Sequence, residues 1–314
     1  MATQIKSAQT QQTGDPIAVA GDSAVFDRIR VTVPDGGFRR DLRAVSIVWR
    51  RELIRFRTDR LRAITALVQP FLFLFILGTG LSNLAGGSLP HTASFDFKTF
   101  IYPGVLAMSV LFTAIFSAGS IVWDREFGFL REILVAPVSR GAIVIGKCLG
   151  GATIATFQGV IFLCLAWFAH VPYNPVLILG LIGMLLLLSY TLTAFGVMMA
   201  ARIKQFQAFM ALTQMLVFPL FFLSGALYPL NGLPAWLTVL TRLDPLTYVV
   251  GPMRHLVFSH LNVTPQVAAV INTRLAPSVT WGGWVVPLWL SLGIVAVMGL
   301  VMTLVAIAEF NKTE

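Results

Sequence analysis

Charged side chains are scarce in this sequence. They make up 12% of its 314 residues, whereas a typical soluble domain is about a quarter charged. Hydrophobic residues account for 56%, and mean hydropathy is +0.80. The chain therefore lacks the polar surface that a soluble protein needs. Its long apolar runs, separated by short polar segments, predict a polytopic membrane protein.

Cysteines are equally few. Cys148 and Cys164 fall within one predicted helix, where a rise of ~1.5 Å per residue places them ~24 Å apart, too far for a disulfide. A single pair also supplies too few ligands for a structural zinc site. We expect both to be small buried apolar residues. The sequence predicts no catalytic residue, metal site or cofactor site in this chain.

Lys and Arg outnumber Asp and Glu, 23 to 14, but 12 of those 23 precede residue 63. A basic segment beside a first membrane span predicts a cytoplasmic flank and disfavours nucleic-acid binding. No secretory signal opens the chain. Residues 1–37 are rich in Gln, Thr, Ser and Asp and have no apolar core, which predicts a disordered cytoplasmic tail.

Six apolar runs are long enough to cross a bilayer. They predict an all-α permease domain over 63–310, with spans near 63–81, 103–122, 142–169, 176–200, 208–228 and 285–308. With the N-terminus inside, the inner segments hold 19 Lys and Arg and the outer segments hold 4. This bias predicts a multi-pass protein of a plasma membrane, most simply a bacterial one, with both termini on the cytoplasmic side.

The apolar cores of the first five spans contain no Asp, Glu or His, and their only Lys or Arg is Lys147 at the inner end of the third. Ion-coupled carriers usually place ionisable groups in the membrane as proton or ion relays. Their scarcity disfavours such a carrier. If this protein moves a substrate uphill, the energy must come from another subunit.

A helix is predicted just before the first span, within 38–62. Its apolar stripe consists of Val45, Val48, Trp49, Leu53 and Phe56, and a second face carries Arg43, Arg50 and Arg57. This pattern predicts an amphipathic helix on the inner leaflet. The alternative is a soluble helix that packs on a partner protein.

The connector between the fifth and sixth spans is long but apolar in its first part, with Gly and Pro breaks. It predicts a broken pair of short helices, at about 225–256, that dips back into the outer leaflet. Irregular backbone at that depth must pack against protein or line a wet cavity.

Residues 141–147 match the spacing GxxxxGK of a phosphate-binding loop, but Cys148 replaces the final Ser or Thr. No strand pattern precedes the motif, and it opens a membrane helix. We therefore expect an entry to the third span, with Lys147 at the inner interface and Gly146 and Gly150 allowing close helix packing.

Two prolines bend predicted spans, after Gln69 and after Phe218. Phenylalanines cluster around both bends, at 71, 73 and 75 and at 218, 221 and 222, and they predict an aromatic lateral pocket. Lipid-facing packing is the alternative for any single ring. The candidate substrate path is Gln69, Pro70, Phe73, Gln214, Phe218 and Phe222.

The inner connector between the second and third spans, about 124–138, is amphipathic and includes Pro137 near its end. A solvated loop has no need of its apolar side chains. A short apolar-faced helix on the cytoplasmic side fits docking into a groove on a partner.

Two motifs in this order resemble the permease subunits of type-2 ATP-binding-cassette (ABC) exporters, a group with bacterial drug-resistance (daunorubicin-type), lipid and polysaccharide exporters. One is EFGFLREILVAPVSRGAIVIGK at 126–147; the other is FLSGALYP at 222–229, continued by LPAW at 233–236 and DPLTYVVGPMR at 244–254. The similarity covers roughly residues 40 to 310.

This resemblance implies two facing permeases, identical or paralogous, each docked on an ATPase subunit that binds ATP and Mg. It implies a coupling helix containing Glu126, Phe129, Arg131, Glu132 and Leu134, and a substrate path near spans one, two and five. Efflux of small amphipathic drugs is the first expectation for function, and export of a lipid, glycolipid or polysaccharide is the second. An ion-coupled carrier or a membrane scaffold is the alternative from a different class.

Overall fold

The computed structural model describes residues 37–85, 97–128, 138–228, 230, 233–261, 280–281 and 284–312. The predicted disordered tail lies outside these ranges except for its last residue. Most of the predicted coupling helix, residues 129–137, also lies outside them.

Within the described ranges the fold is helical apart from one two-stranded hairpin. The α-helices are α1 (Phe38–Thr58), α2 (Arg60–Ala85), α3 (Phe97–Ser117), α4 (Gly119–Glu126), α5 (Arg140–Leu163), α6 (Pro175–Arg202), α7 (Phe206–Leu223), α8 (Ala235–Leu243), α9 (Thr247–Ser259) and α10 (Leu288–Lys312). A 3₁₀-helix, Cys164–Ala169, extends α5. Strands β1 (Thr280–Trp281) and β2 (Trp284–Val285) pair antiparallel.

Five of these helical segments are long and apolar enough to cross a membrane, counting only the described residues. They are Phe97–Glu126, Arg140–Ala169, Pro175–Arg202, Phe206–Leu223 and Leu288–Lys312. In α2 the apolar stretch Ile64–Gly80 is shorter. The chain is therefore an all-helical polytopic membrane protein in its main architecture, and a sixth span through α2 remains a prediction.

Several predicted span ends differ from the helix ends by three to six residues, and two of these differences have a clear structural cause. The fifth helix ends at Leu223 instead of reaching residue 228, because the chain turns at Ser224 and Gly225, where glycine adopts a positive φ of 69°. The sixth begins at Leu288 instead of residue 285, because Val285 pairs in the hairpin with Thr280.

Local signals explain other helix ends. The Ser139 side chain accepts a hydrogen bond from the Ala142 N–H and caps α5. Asn174 does the same for the Val176 N–H at the start of α6, where Pro175 occupies the first turn. Each cap satisfies a backbone donor that a helix N-terminus otherwise leaves open.

Helix α3 lies at the centre of the fold. In the apolar window of Phe97–Glu126, 83% of residues are buried inside the chain, compared with 22% for α7. A Cβ at Gly104 of α3 would come within 2.5 Å of the Ala226 carbonyl oxygen, so glycine permits the close approach of the turn after α7. The exposed apolar faces of α7 and α10 fit contact with lipid or another subunit.

Candidate functional site

A cavity of about 590 Å³ lies between the end of α1, the first half of α2, the α3–α4 junction, α5 and the start of α7. Five aromatic side chains contribute to its walls: Phe56, Phe112, Phe116, Trp123 and Phe206. Phe112 and Phe116 stack with centroids 6.1 Å apart, and Trp123 meets Phe206 edge-on at 5.1 Å. This size and lining suit an apolar or aromatic small molecule.

Polar groups are interspersed in the same walls. Gln158 is only 1% exposed, and its Oε1 accepts a 2.6 Å hydrogen bond from the Thr113 hydroxyl. Its Nε2 has no hydrogen-bond partner among the described residues. Gln69, Thr65 and Ser117 also line the cavity. The cavity is therefore amphipathic.

A buried charge network borders this cavity where α1, α4 and α5 meet. The ammonium of Lys147 on α5 lies 2.6 Å from Glu52 Oε1 on α1 and 3.0 Å from Asp124 Oδ2 on α4, and it donates to the Ser120 hydroxyl at 2.9 Å. All three charged side chains are at most 6% exposed. Glu52 and Ser120 belong to the cavity wall as well.

Two arginines of α1 extend the network towards the surface. Arg51 donates to both carboxylate oxygens of Asp124 at 3.0 Å, and Arg55 lies 3.6 Å from Asp124 Oδ1. Buried ions need partners of opposite charge, since removing a charge from water is costly. The network therefore joins α1, α4 and α5 through contacts that are difficult to break singly.

Close packing reinforces the attachment of α1 to α5. A Cβ at Gly146 would lie 2.8 Å from Val48 Cβ, and one at Gly150 would lie 2.8 Å from Glu52 Cβ. The Trp49 Nε1–H donates to the Thr153 hydroxyl at 3.1 Å. The predicted apolar stripe of α1 thus packs on α5 of the same chain, and it is the opposite face of α1 that stays exposed.

The GxxxxGK match does not form a loop. Residues 141–147 are helical within α5, Gly146 contacts α1, and the Lys147 ammonium is bound to carboxylates. Lys147 is buried at the junction of α1, α4 and α5.

The C-terminal end of helix α4 is hydrogen-bonded to the end of α6 and to the start of α7. The Arg125 guanidinium donates to the carbonyls of Ala200, Ala201 and Ile203 at the end of α6, at 2.9 to 3.2 Å. The Glu126 carboxylate accepts a 2.8 Å hydrogen bond from the Phe206 N–H at the start of α7. These contacts use a basic group at a helix C-terminus and an acidic group at an N-terminus, as the helix dipoles favour.

Of the predicted coupling-helix residues, Glu126 is the one the structure describes; Phe129, Arg131, Glu132 and Leu134 lie outside the described residues. Phe127, directly after α4, is 58% exposed and contacts Trp123 with centroids 4.7 Å apart. The chain thus leaves α4 with an aromatic side chain on the surface.

The predicted substrate-path residues do not form one pocket. Gln69 lines the cavity, and Phe218 packs edge-on against the cavity residue Phe112 at 6.1 Å. Phe73 contacts Phe221 at 5.9 Å, away from the lining. Pro70 is buried in α2, while Gln214 and Phe222 are exposed on α7. The other phenylalanines of α2, Phe71 and Phe75, pack on Phe168 instead.

Arg254 anchors the opposite end of the fold. Its guanidinium donates to the carbonyls of Gly225, Ala226 and Phe100 at 2.9, 3.0 and 3.3 Å, and lies 4.0 Å from the Phe100 ring centroid. Burial lowers the pKa of Arg254 to about 9. The connector after α7 is therefore tied to α3 through one side chain of α9.

Asp244 stands at the start of α9. Burial raises the pKa of Asp244 to about 8, although the Leu246 N–H and the Thr247 hydroxyl donate to its carboxyl group and act in the opposite direction. These bonds hold the turn between α8 and α9. Both Asp244 and Arg254 belong to the second sequence motif.

Residues 43–258 match the model of the family described as the ABC-2 type transporter. That match spans more than half of the chain. The chain belongs to the ABC-2 type transporter family. The resemblance found in the two sequence motifs is confirmed, and the matched region runs from α1 to α9.

Individual relatives of the chain are named as transport permeases or transporter permeases. The putative transport permease ycf38 of Cyanophora paradoxa is 29% identical over 217 residues, covering 68% of this chain and 73% of the relative. The inner membrane transport permease YadH of Escherichia coli K12 is 26% identical over 213 residues, covering 68% and 82%. The probable multidrug ABC transporter permease YbhR of the same strain is 30% identical over 161 residues, covering 50% and 43%.

Membership places the chain among multi-pass transport permeases, which normally pair with an ABC ATPase subunit. The charge network is the part of this ABC-2 permease that sequence reasoning missed. Its signals were an acidic residue, Glu52, in the middle of a strongly basic helix, together with Asp124 and Lys147 near the ends of two predicted spans. Charges placed there need partners, but their pairing depends on how α1 folds back.

Proposed function

We propose that this chain is the permease of an ATP-driven exporter that moves an amphipathic, drug-like molecule out of the cytoplasm or inner leaflet. It does no catalysis itself, and ATP is hydrolysed by a separate subunit. The observation that carries the proposal is the aromatic-walled cavity of about 590 Å³ beside a buried charge network that holds α4, the helix leading into the family's coupling motif.

The proposed topology has six spans, with α2 as the first and both termini in the cytoplasm. It puts α1 on the inner leaflet and the connector containing α8 and α9 as a re-entrant hairpin in the outer leaflet. The excess of Lys and Arg in the inner segments, 19 to 4, supports this orientation. The buried Arg254 supports the hairpin, because its donors satisfy backbone carbonyls of the turn after α7.

Docking of the ATPase is proposed at the segment that contains Glu126, Phe129, Arg131, Glu132 and Leu134. The attachment of α4 supports this role, since Arg125 and Glu126 fix its end to α6 and α7. Force applied by the ATPase on this segment would reach the cavity wall through Trp123 and Phe206. Coupling through such a rigid connection needs no mobile linker.

A second permease copy or a paralogue is proposed to complete the transporter. The apolar face of α7 supports such an interface. Its exposed large side chains are Leu212, Met215, Phe218 and Phe222. These residues lie on the helix whose start lines the cavity, so a second copy would extend the same path.

The substrate class follows from the cavity walls. Aromatic rings contribute contact area, and Gln158 and Gln69 contribute hydrogen-bonding groups. This mixture favours small amphipathic molecules over long glycans. A lipid or glycolipid substrate remains the second candidate, favoured by the short distance between the cavity and the exposed start of α2.

The test is reconstitution of the permease with its co-purifying ATPase, followed by a screen for compounds that stimulate ATP hydrolysis. We expect hydrophobic aromatic compounds to stimulate ATP hydrolysis. The substitution Phe116→Ala should raise the concentration needed for half-maximal stimulation by about tenfold, as for a lost aromatic contact of ~1.4 kcal/mol. Phe168→Ala is the matched control, because that ring packs on α2 outside the cavity.

Two outcomes oppose the proposal. Transport by this chain alone under an ion gradient would show an ion-coupled carrier. Normal ATPase co-purification with Glu132→Lys would refute the docking assignment, since a reversed charge in a docked helix costs affinity.

A further inference from the structure

A second groove, of about 550 Å³, lies between the last turns of α1, the start of α2 and α5. Its walls are Leu53, Phe56, Ile64, Thr153, Ile154 and Phe157, with Arg57 at the rim. Phe56 and Ile154 also line the larger cavity. The groove therefore backs onto that cavity but opens on the outside of the fold.

The groove walls offer apolar surface and no spare hydrogen-bonding group. The one hydroxyl, that of Thr153, already donates to the Leu149 carbonyl at 2.8 Å and accepts from the Trp49 Nε1–H at 3.1 Å. Phe157 is 55% exposed in the chain, and Phe56 meets it edge-on at 6.5 Å. A peptide laid in this groove would bury its backbone polar groups without partners, whereas an alkyl chain would not.

Arg57 supplies charge at the rim of the groove. It makes no ion pair with any residue that the structure describes, in contrast to Arg51 and Arg55, which both reach Asp124. Its side chain is exposed. A guanidinium presents a fork of donors that matches the oxygens of a phosphate.

With α1 on the inner leaflet, as proposed above, this arginine lies at the depth of lipid headgroups. On the exposed face of α1, Arg43, Arg50 and Arg57 alternate with Ile47 and Ile54, whose side chains are 61% and 66% exposed. A stripe that alternates isoleucine and arginine sits where acyl chains meet phosphates, because the aliphatic groups insert and the guanidinium groups stay at the surface.

We propose that this groove binds one acyl chain of an anionic phospholipid of the inner leaflet, with the lipid phosphate on Arg57. The lipid is a resident ligand, distinct from the exported molecule. It fills the gap between α1, α2 and α5 and extends the attachment of α1 that the charge network begins. The net positive charge of the exposed face selects an anionic headgroup over a zwitterionic one.

The test is native mass spectrometry of the full-length permease in a neutral detergent, titrated with phosphatidylglycerol. Removing the bilayer abolishes general attraction to a charged surface, so only a built site retains lipid. We expect one phosphatidylglycerol per chain, and about tenfold weaker binding for Arg57→Gln, the loss typical of one charge-assisted contact. Arg50→Gln is the matched control, because it removes the same charge from the same face one heptad away, outside the groove.

A second variant separates the acyl-chain contact from the phosphate contact. Ile64→Trp places an indole in the groove while Arg57 stays in place, and the exposure of Ile64 makes the substitution tolerable for folding. It should also abolish the bound lipid. Glycerol 3-phosphate, which has the headgroup phosphate and no acyl chain, should not displace phosphatidylglycerol from the wild-type chain.

Three results would overturn the proposal: equal weakening by Arg57→Gln and Arg50→Gln, equal binding of phosphatidylcholine, or displacement by glycerol 3-phosphate. Each would show a diffuse or a purely ionic contact. Because the readout is lipid retention, it does not depend on transport, and the proposed function can fail without affecting this result.

Discussion

Replacing Lys147 by methionine tests the buried charge network most directly. The ammonium has three partners within 3.0 Å, namely Glu52, Asp124 and Ser120. Asp124 keeps Arg51 and Arg55 when Lys147 is removed, but Glu52 has no other ion-pair partner among the described residues. The principal effect of the substitution is thus a buried carboxylate without a counter-charge.

The expected magnitude follows from that orphaned carboxylate. Breaking a buried ion pair by removing one partner typically costs ~3–5 kcal/mol. Spread over a chain of this size, such a loss lowers the melting temperature by on the order of 10 °C. The effect should centre on α1, which is joined to α5 through Glu52, so protease cleavage within α1 should accelerate before the rest of the chain unfolds.

The assay is a double-mutant cycle with Glu52→Gln, read by melting temperature in detergent and by proteolysis of α1. Glu52→Gln alone should cost less than half of the Lys147→Met effect, because Lys147 retains Asp124 and Ser120. The double variant should be more stable than Lys147→Met by at least ~1 kcal/mol, since the unpaired charge is gone.

Strict additivity of the two substitutions would refute the reasoning, because it would mean that Glu52 and Lys147 do not interact. Arg202→Met is the control, since the Arg202 side chain is 69% exposed and its partner Glu309 keeps Lys312 at 3.7 Å. That variant should have the same melting temperature as the wild type.

Three further predictions concern helix packing and the connector between α7 and α10. Gly146→Ala should destabilise the chain by ~1–3 kcal/mol, because the added Cβ would come 2.8 Å from Val48 Cβ. A Cβ at Gly183 would have no neighbouring atom within 4 Å, so the control Gly183→Ala should be neutral or stabilising in thermal melts. Asp244→Asn should flatten the pH dependence of stability. The pKa of Asp244 in the folded chain, about 8, lies above its unfolded value, so the stability that its carboxyl group contributes is complete at low pH and is lost as the pH rises through 8. Identical profiles of melting temperature against pH for variant and wild type would contradict this. Arg254→Met should cost at least ~2 kcal/mol, because it leaves buried carbonyls without donors, and Arg254→Lys should recover only part of that loss; full recovery would show that charge alone matters.

The sequence by itself determined the class of protein and the approximate helix positions. Runs of apolar residues specify helices in a membrane because every backbone group must be satisfied within its own segment. This requirement is local, so four of the six predicted spans, namely the first, third, fourth and sixth, agree with described helices to within four residues at both ends. The family was also readable, because the residues of each of its two motifs are close together in the sequence.

Only the tertiary structure decided which polar groups meet. Glu52 and Lys147 are 95 residues apart in the sequence, and their pairing depends on α1 folding back onto Gly146 and Gly150 of α5. The same dependence applies to the apolar stripe of α1: periodicity identifies a face that must be covered, but a protein helix and a lipid leaflet satisfy it equally well. Close packing against glycine decided in favour of the helix. What remains exposed on α1 is the alternation of arginine and isoleucine.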